Sequence, residues 1–265
     1  MRRPLLLPAL FLAASAAAQV APLLAVPTAQ TVPPPADGRL FGHFPYTDVT
    51  AAGLVLAPAG FAIGQPCRVQ PAVADALALL LAAKAASGVA GKLHGVSCYR
   101  SVAHQRSVFC RRGKSCRDPA RRSQVVAPPG YSEHETGYAI DFAVRPAPGC
   151  PDTSDCIAGT PAGQWLLANA PRFGFELSFP AGNAQGVTWE PWHWRWVGVI
   201  AAAPGAGPAR TLFAGARGRF PAAPAVVPFG LQIAEPTPAT LAVLGTPTPP
   251  PLVKLPKQDR EKRRR

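Results

Sequence analysis

Hydrophobic and polar residues alternate most regularly between Tyr138 and Val144, where Tyr, Ile, Phe and Val occupy every second position. A period of two predicts a β-strand with one apolar face in the core. The opposite face carries Asp141 between two alanines, which leaves space beside its carboxylate. A second alternation separates three tryptophans by two polar residues: Trp192, His193, Trp194, Arg195 and Trp196. We expect the indole rings to pack in the core while His193 and Arg195 face a site.

Other segments have the composition and the end signals of helices. Pro71–Ser87 is rich in Ala and Leu, with Pro in the first turn and Gly88 as a C-terminal cap. The remaining elements are two capped helices and two short strands: Ser101–Arg112, Thr160–Ala170, Leu93–Cys98 and Gly174–Phe179. Because strands and helices do not alternate regularly, this order predicts an α+β fold, a single domain with a central antiparallel sheet flanked by helices.

The compact domain is predicted at residues 40–203, between two segments rich in Pro and Ala. Residues 1–18 have the features of a secretory signal peptide, since Arg2 and Arg3 precede the apolar run Leu5–Ala14 and an Ala-x-Ala cleavage site. An uncleaved membrane anchor is the alternative. Residues 19–39 are predicted as a linker, and residues 204–265 as a Pro-rich, basic and largely disordered C-terminal extension.

The formal charge of +13 is unevenly distributed. The body of the chain keeps +6 once the +2 of the leader and the +5 of the tail Lys254–Arg265 are removed. Eight basic residues fall between Arg100 and Arg122, against one acid, Asp118. This region suits an anionic envelope polymer or a carboxylate substrate, or it is a solvated loop. Nucleic acid is not expected as a partner, because the chain is predicted to be exported and has no recognisable nucleic-acid-binding motif.

The chain has six cysteines, and an even number in an exported protein favours disulfide bonds. Two pairs are close in sequence, Cys110–Cys116 and Cys150–Cys156, which leaves Cys67–Cys98 as the third. A cysteine zinc site is the alternative, but no C-x-x-C spacing occurs.

Two short strings carry the candidate chemistry. His134 precedes Asp141 by seven residues, and Gly137 between them permits a bend that brings both to one point. His193 follows Glu190 by three residues. Two imidazoles and one carboxylate suit Zn²⁺, and three protein ligands leave the open position of a catalytic site, although other divalent transition metals accept the same ligands. With Glu190 as the base that activates water, the sequence predicts a zinc hydrolase.

The strings Ser132–Asp141 and Glu190–His193, preceded by Ser97–Ser101 and Gln105, resemble the D-alanyl-D-alanine carboxypeptidase family of zinc peptidases. These peptidases are related to the vancomycin-resistance carboxypeptidases and share the hedgehog/DD-peptidase fold. The resemblance covers about Gln70–Gly198.

The resemblance implies that His134, Asp141 and His193 bind one Zn²⁺ and that Glu190 is the catalytic base. It also implies that Arg100 polarises the scissile carbonyl or binds the substrate carboxylate. A planar guanidinium matches a carboxylate with two parallel hydrogen bonds, which agrees with this role.

Two further substrate contacts are implied by the resemblance, Gln105 beside Arg100 and Ser132. Three positions depart from the family pattern. Cys98 replaces a glycine, which a disulfide bond to Cys67 explains. Glu135 replaces a common glutamine, and its carboxylate is expected to contact His134 and orient the ring toward the metal. Ser178 stands where a basic residue is frequent.

These features together predict an exported, periplasmic or envelope-associated zinc D,D-carboxypeptidase that removes the terminal D-alanine from peptidoglycan stem peptides. Its basic tail is expected to contact the anionic envelope. An L,D-carboxypeptidase or an endopeptidase with the same site is the first alternative. A non-catalytic cell-wall binding module is the second, although such a module has no need for the base Glu190.

Overall fold

The computed structural model describes residues 36–111 and 116–227. The strands of this part are β1 Val55–Leu56, β2 Arg68–Val69, β3 Lys92–Ser97, β4 Ala139–Arg145, β5 Phe175–Leu177 and β6 His193–Trp196. Its α-helices are α1 Pro71–Ala86, α2 Val102–Phe109, α3 Pro119–Ser123, α4 Pro161–Asn169, α5 Ala206–Leu212 and α6 Ala214–Arg219. The predicted leader and nearly all of the predicted linker lie outside the described residues.

A four-stranded antiparallel sheet with the order β3-β4-β6-β5 forms the centre of the domain. The short strands β1 and β2 form a separate antiparallel pair. Helices α1 and α4 cover the apolar face of the central sheet, with Leu77 and Leu166 in the same core cluster as Ile140, Phe142 and Phe175. The predicted α+β class with a central antiparallel sheet is confirmed.

The alternation of tryptophans after Pro191 produces β6. Trp194 and Trp196 are buried in the core, and each indole nitrogen donates a hydrogen bond, to the carbonyls of Pro191 and Phe173 respectively. Buried indoles that also satisfy their N–H groups hold a strand rigidly. Trp192 differs from the expectation because it is only half-buried and lines a cleft.

Both outer strands of the sheet make hydrogen bonds to segments that are not strands of this sheet. On the β3 side, the Gly95 amide donates to Phe61 (2.9 Å), and the Ile63 amide donates to Gly95 (2.8 Å). On the β5 side, the Leu177 amide donates to the Pro224 carbonyl (3.0 Å). The backbone of both outer strands is therefore engaged at these positions.

The predicted domain boundary at residue 203 is too early. Residues 206–219 form α5 and α6, and Phe213 between them is fully buried against Tyr46 and Tyr138. Arg210 also donates hydrogen bonds to the carbonyls of Val197 and Gly198, directly after β6. The Ala- and Gly-rich composition concealed this segment because most of its buried residues are alanines, which give no clear apolar pattern. Residues 228–265 of the predicted extension lie outside the described residues.

Two of the three predicted disulfide bonds are present, Cys67–Cys98 and Cys150–Cys156. The predicted bond Cys110–Cys116 is not formed, and both of these residues are free thiols. The two side chains are nevertheless adjacent and share a hydrogen bond, which raises the pKa of Cys110. Sequence proximity thus brought the pair together without a covalent bond. In the part of the chain that the structure describes, no helix combines the length and the apolarity needed to cross a membrane.

Candidate metal centre and active site

A tight turn brings His134 beside Asp141. Residues Glu133–Thr136 form a 3₁₀ turn that ends at Gly137, whose φ of +71° is in the left-handed region. A Cβ atom at Gly137 would lie 2.8 Å from Cδ2 of Leu54, so both the backbone angle and the packing require glycine here. The chain then reverses into β4, where Asp141 lies on the strand face that points back toward His134. The bend expected at Gly137 is present.

The register of the sheet brings in the second histidine. Asp141 on β4 lies opposite His193 on β6. Oδ2 of Asp141 is 3.2 Å from Nε2 of His134, and Oδ1 is 2.9 Å from Nδ1 of His193. One donor atom from each of the three residues lies within 4.8 Å of the others, and all three residues are buried. This convergence is the geometry of a single-ion site.

The two imidazole rings are oriented so that each directs one nitrogen toward Asp141. Nδ1 of His134 donates to the carbonyl of Cys98 (2.7 Å), since a carbonyl only accepts. When the ring is neutral with its proton on Nδ1, the buried Nε2 presents a lone pair toward Oδ2 of Asp141 at 3.2 Å. In the other ring, Nε2 of His193 contacts Oε2 of Glu133 (2.9 Å), which leaves Nδ1 toward Asp141. In metal-binding histidines, the ring nitrogen that does not face the metal is typically held by an oxygen atom, as it is in both of these rings. The three residues therefore fit a zinc ion.

The charges of the site follow from burial and pairing. Burial tends to raise the pKa of Asp141, but the two histidines outweigh burial and hold it well below its usual range. Burial lowers the pKa of His134 to about 4, with a contribution from the Arg100 charge. Burial also disfavours protonated His193, but hydrogen bonds to Asp141 and Glu133 raise its pKa to about 10. A metal ion that binds Nδ1 of His193 therefore displaces a proton.

Glu190 and Arg100 stand beside this group of ligands. The His193 amide donates to the Glu190 carbonyl (3.0 Å), so the two residues share the tight turn expected from Pro191. Burial raises the pKa of Glu190 to about 8, although the positive charges of His193 and Arg100 oppose the rise. Arg100 follows β3, and its buried Nε has no hydrogen-bond partner among the described residues. Burial lowers the pKa of this guanidinium. A carboxyl group that can exchange a proton near neutral pH thus lies beside a cation.

A single cavity of about 380 Å³ joins most of the predicted site residues. Its lining includes Arg100, Ser132, His134, Asp141, Glu190 and His193. Gln105 is not part of the lining. Its side chain is buried, and its Nε2 donates to the carbonyl of Ala127 (2.7 Å), which supports the wall of the cavity from behind. Arg111 and Arg122 from the basic region also line the cavity.

The expectation for Glu135 is wrong, and a different carboxylate orients a ligand. Oε1 of Glu135 accepts from the Gly130 amide (2.9 Å), and burial raises the pKa of this carboxyl to about 7. His134 is instead held by Cys98, while the neighbouring Glu133 contacts His193. One sequence signal for Glu133 was available, because it is an acidic residue directly before the first predicted ligand.

Comparison with protein families agrees with the geometry. The model of the VanY family, described as D-alanyl-D-alanine carboxypeptidase, matches residues 66–199, half of the chain. The putative carboxypeptidase YodJ of Bacillus subtilis (strain 168) is 36% identical over 132 residues, which cover 49% of this chain and 46% of that protein. A D-alanyl-D-alanine carboxypeptidase of Enterococcus faecalis (strain ATCC 700802 / V583) is 39% identical over 90 residues, 33% of this chain and 31% of that protein. The chain thus spans less than half the length of these curated relatives.

Two solved structures are also similar. The LdcB LD-carboxypeptidase is 27% identical, with 66% of this chain and 76% of that chain covered and a TM-score of 0.49. A mutant of the vancomycin resistance D,D-pentapeptidase VanY in complex with Zn(II) is 26% identical, with 60% and 88% covered and a TM-score of 0.41.

Proposed function

Because the chain belongs to the D-alanyl-D-alanine carboxypeptidase family, we propose that it is an exported zinc-dependent D,D-carboxypeptidase of peptidoglycan stem peptides. One observation carries this proposal. His134, Asp141 and His193 converge on one point, and the same cavity holds the free carboxyl of Glu190 and the guanidinium of Arg100. These are the groups that amide hydrolysis requires, namely a metal site, a proton carrier and a cation near the developing negative charge.

The metal ligands in this proposal are His134 Nε2, Asp141 and His193 Nδ1. Zinc, when bound, supplies a Lewis acid that polarises the scissile carbonyl and lowers the pKa of a water molecule. Glu190 takes the proton of the attacking water as the new C–O bond forms. It then gives this proton to the nitrogen of the departing D-alanine as the C–N bond breaks. The burial that raises the pKa of Glu190 suits it to both transfers.

Arg100 serves the anionic parts of the substrate. Its Nε is buried without a partner among the described residues, so a ligand oxygen at this point satisfies a group that the protein leaves unpaired. The guanidinium binds the terminal carboxylate or the carbonyl oxygen as negative charge develops on it. Ser132 lines the same cavity and completes the proposed contacts. For Gln105 we propose an indirect role, through the wall residue Ala127 that it holds.

Two features support export. The first is the signal-like segment at residues 1–18. The second is the pair of disulfide bonds Cys67–Cys98 and Cys150–Cys156, which persist in oxidising compartments. The basic rim with Arg111 and Arg122 suits the acidic stem peptides of the wall, and the basic tail suits the anionic envelope.

The test is mass spectrometry of a soluble muramyl pentapeptide ending in D-Ala-D-Ala. The full chain is expressed with its leader, purified from the periplasm, supplied with zinc and incubated with the peptide. We expect the loss of one alanine, inhibition by a chelator, and an N-terminus near Gln19. Glu190→Gln should be inactive, whereas Glu135→Gln, whose carboxylate lies outside the cavity lining, should remain active.

An intact pentapeptide would contradict the D,D specificity. Loss of alanine from a tetrapeptide would then assign the L,D specificity, and cleavage of cross-linked fragments would assign an endopeptidase. If all three substrates remain intact while zinc is bound, the chain is a binding module rather than an enzyme.

A further inference from the structure

A row of buried charged side chains connects the C-terminal helix α6 to the metal centre. We call Arg217, Glu176, Arg195 and Glu133 the charge chain; it ends on the predicted ligand His193. Arg195 and both carboxylates have side chains that are at most 4% exposed, and Arg217 is 26% exposed. Burying a charged group is costly unless an opposite charge pairs with it, so acidic and basic side chains alternate along the charge chain.

The contacts of Glu133 fix the orientation of the ligand ring. Its Oε2 contacts Nε2 of His193 (2.9 Å) and accepts from Ser178 (2.5 Å), while its Oε1 accepts from Nη1 of Arg195 (2.8 Å). A carboxylate held at both oxygens cannot rotate away from the histidine. Arg195 thus restrains Glu133, and Glu133 restrains the ring whose other nitrogen is directed at Asp141.

The next two contacts extend this restraint to α6. Nε of Arg195 donates to Oε1 of Glu176 (2.8 Å), and Nε of Arg217 donates to the same oxygen (3.0 Å). One buried carboxylate is therefore shared by two guanidinium groups. Without Arg217, the Glu176 carboxylate would lose one of these two guanidinium contacts and keep the one with Arg195. The side chains of Glu176 and Arg195 could then shift together.

Arg217 lies outside the part of the chain that matches the family model. That match ends at residue 199, whereas α6 spans Ala214–Arg219. The helix is held on the domain by Phe213, which stacks edge-on against Tyr46 and Tyr138. The segment therefore has a fixed position from which Arg217 can act.

We propose that Arg217 is a positioning residue for the metal centre, so that α6 belongs to the apparatus that orients His193. The proposal rests on zinc as the metal of the proposed function, but it does not depend on the substrate. Direct partners of ligands change metal affinity by about 10- to 100-fold when they are replaced. Arg217 reaches His193 through three intermediates, Glu176, Arg195 and Glu133, so we expect Arg217→Gln to weaken zinc binding by less, roughly fivefold to tenfold.

The experiment is a zinc titration of the full chain against a chromophoric chelator, without substrate. Arg219→Gln is the matched control, because Arg219 is on the same helix, is 61% exposed and lies 3.9 Å from Asp37. Arg217→Lys keeps the charge and should recover most of the affinity. The absorption spectrum of the cobalt-substituted protein provides a second readout, because a reoriented His193 changes the ligand field.

A double-mutant cycle separates positioning from simple stability. If Arg217 acts through the charge chain, its replacement should have little further effect on zinc affinity in the Glu133→Gln background. Equal affinities for Arg217→Gln and Arg219→Gln, or full additivity with Glu133→Gln, would overturn the proposal. If Arg217→Gln does not fold, Arg217→Lys replaces it in the same cycle. A small loss of zinc affinity that disappears in the Glu133→Gln background would support the proposal, and a loss of equal size in both backgrounds would overturn it. Absence of peptidase activity in a parent protein that binds zinc normally would count against the proposed function, while the zinc affinities of the variants would still decide this proposal.

Discussion

Removal of the Cys67–Cys98 disulfide should lower both the stability of the domain and its affinity for zinc. The bond closes a loop with a sequence separation of 31 residues, for which the chain-entropy relation gives a loss of about 3.7 kcal/mol. Cys98 has a second function, since its carbonyl accepts from Nδ1 of His134 (2.7 Å). A looser Cys98 should leave this ligand less well oriented.

The assay compares the double variants Cys67→Ala/Cys98→Ala and Cys150→Ala/Cys156→Ala. The second bond spans a separation of only 6 residues, so the same relation gives a loss of about 2.2 kcal/mol. Urea unfolding of both variants should thus show a difference of roughly 1.5 kcal/mol in the free energy of unfolding. Zinc titration should show weaker binding only in the first variant.

Two outcomes would refute this reasoning. Equal losses of stability in the two variants would mean that loop length does not determine the contribution of these bonds. Unchanged zinc affinity after removal of Cys67–Cys98 would mean that the Cys98 carbonyl keeps its position without the bond. In that case the β3 backbone alone would orient His134.

Three other changes test separate parts of the structure. His193→Ala should abolish stoichiometric zinc in metal analysis, and a full complement of metal would remove His193 from the ligand set. Glu135→Gln should be more stable than the parent above pH 7 and equal to it below pH 4.5, because burial raises the pKa of this carboxyl to about 7 in the folded state. The ionisation penalty grows as the pH rises through this interval, and the gain should be on the order of 1 kcal/mol after solvent screening, measured by urea unfolding at several pH values; a gain at pH 4 would contradict it. Lys84→Met should cost roughly 2–3 kcal/mol in the same assay, because Nζ of Lys84 donates to two carbonyls at 2.6 and 2.8 Å that would lose their partner, and a neutral result would show that water replaces it.

The sequence patterns predicted the elements that carry the metal ligands. The alternation around Asp141 produced β4, the tryptophan alternation produced β6, and Gly137 produced the bend after His134. These predictions depend on periodicity and on a local backbone requirement, both of which a single sequence displays. The pairing of Asp141 with His193 in adjacent strands then follows from the sheet.

Features that depend on distant partners were not predicted. Glu133 meets Arg195 and Ser178, which are 62 and 45 residues away, so its neighbours in sequence do not indicate its role. Helices α5 and α6 were not predicted, because their buried residues besides Phe213 are mostly alanines, whose pattern in a Pro- and Ala-rich segment does not indicate a packed helix. The Cys110–Cys116 bond was predicted from proximity alone, which brings thiols together but does not determine whether they are oxidised.

The covered outer strands have a consequence for behaviour at high concentration. An exposed strand edge offers a row of free amides and carbonyls with which another chain can pair, and this leads to aggregation. Here Phe61 and Ile63 occupy the β3 edge at Gly95, and Pro224 occupies the β5 edge at Leu177. A version truncated before residue 224 would uncover the second edge, so it should self-associate at concentrations where the longer chain remains monodisperse.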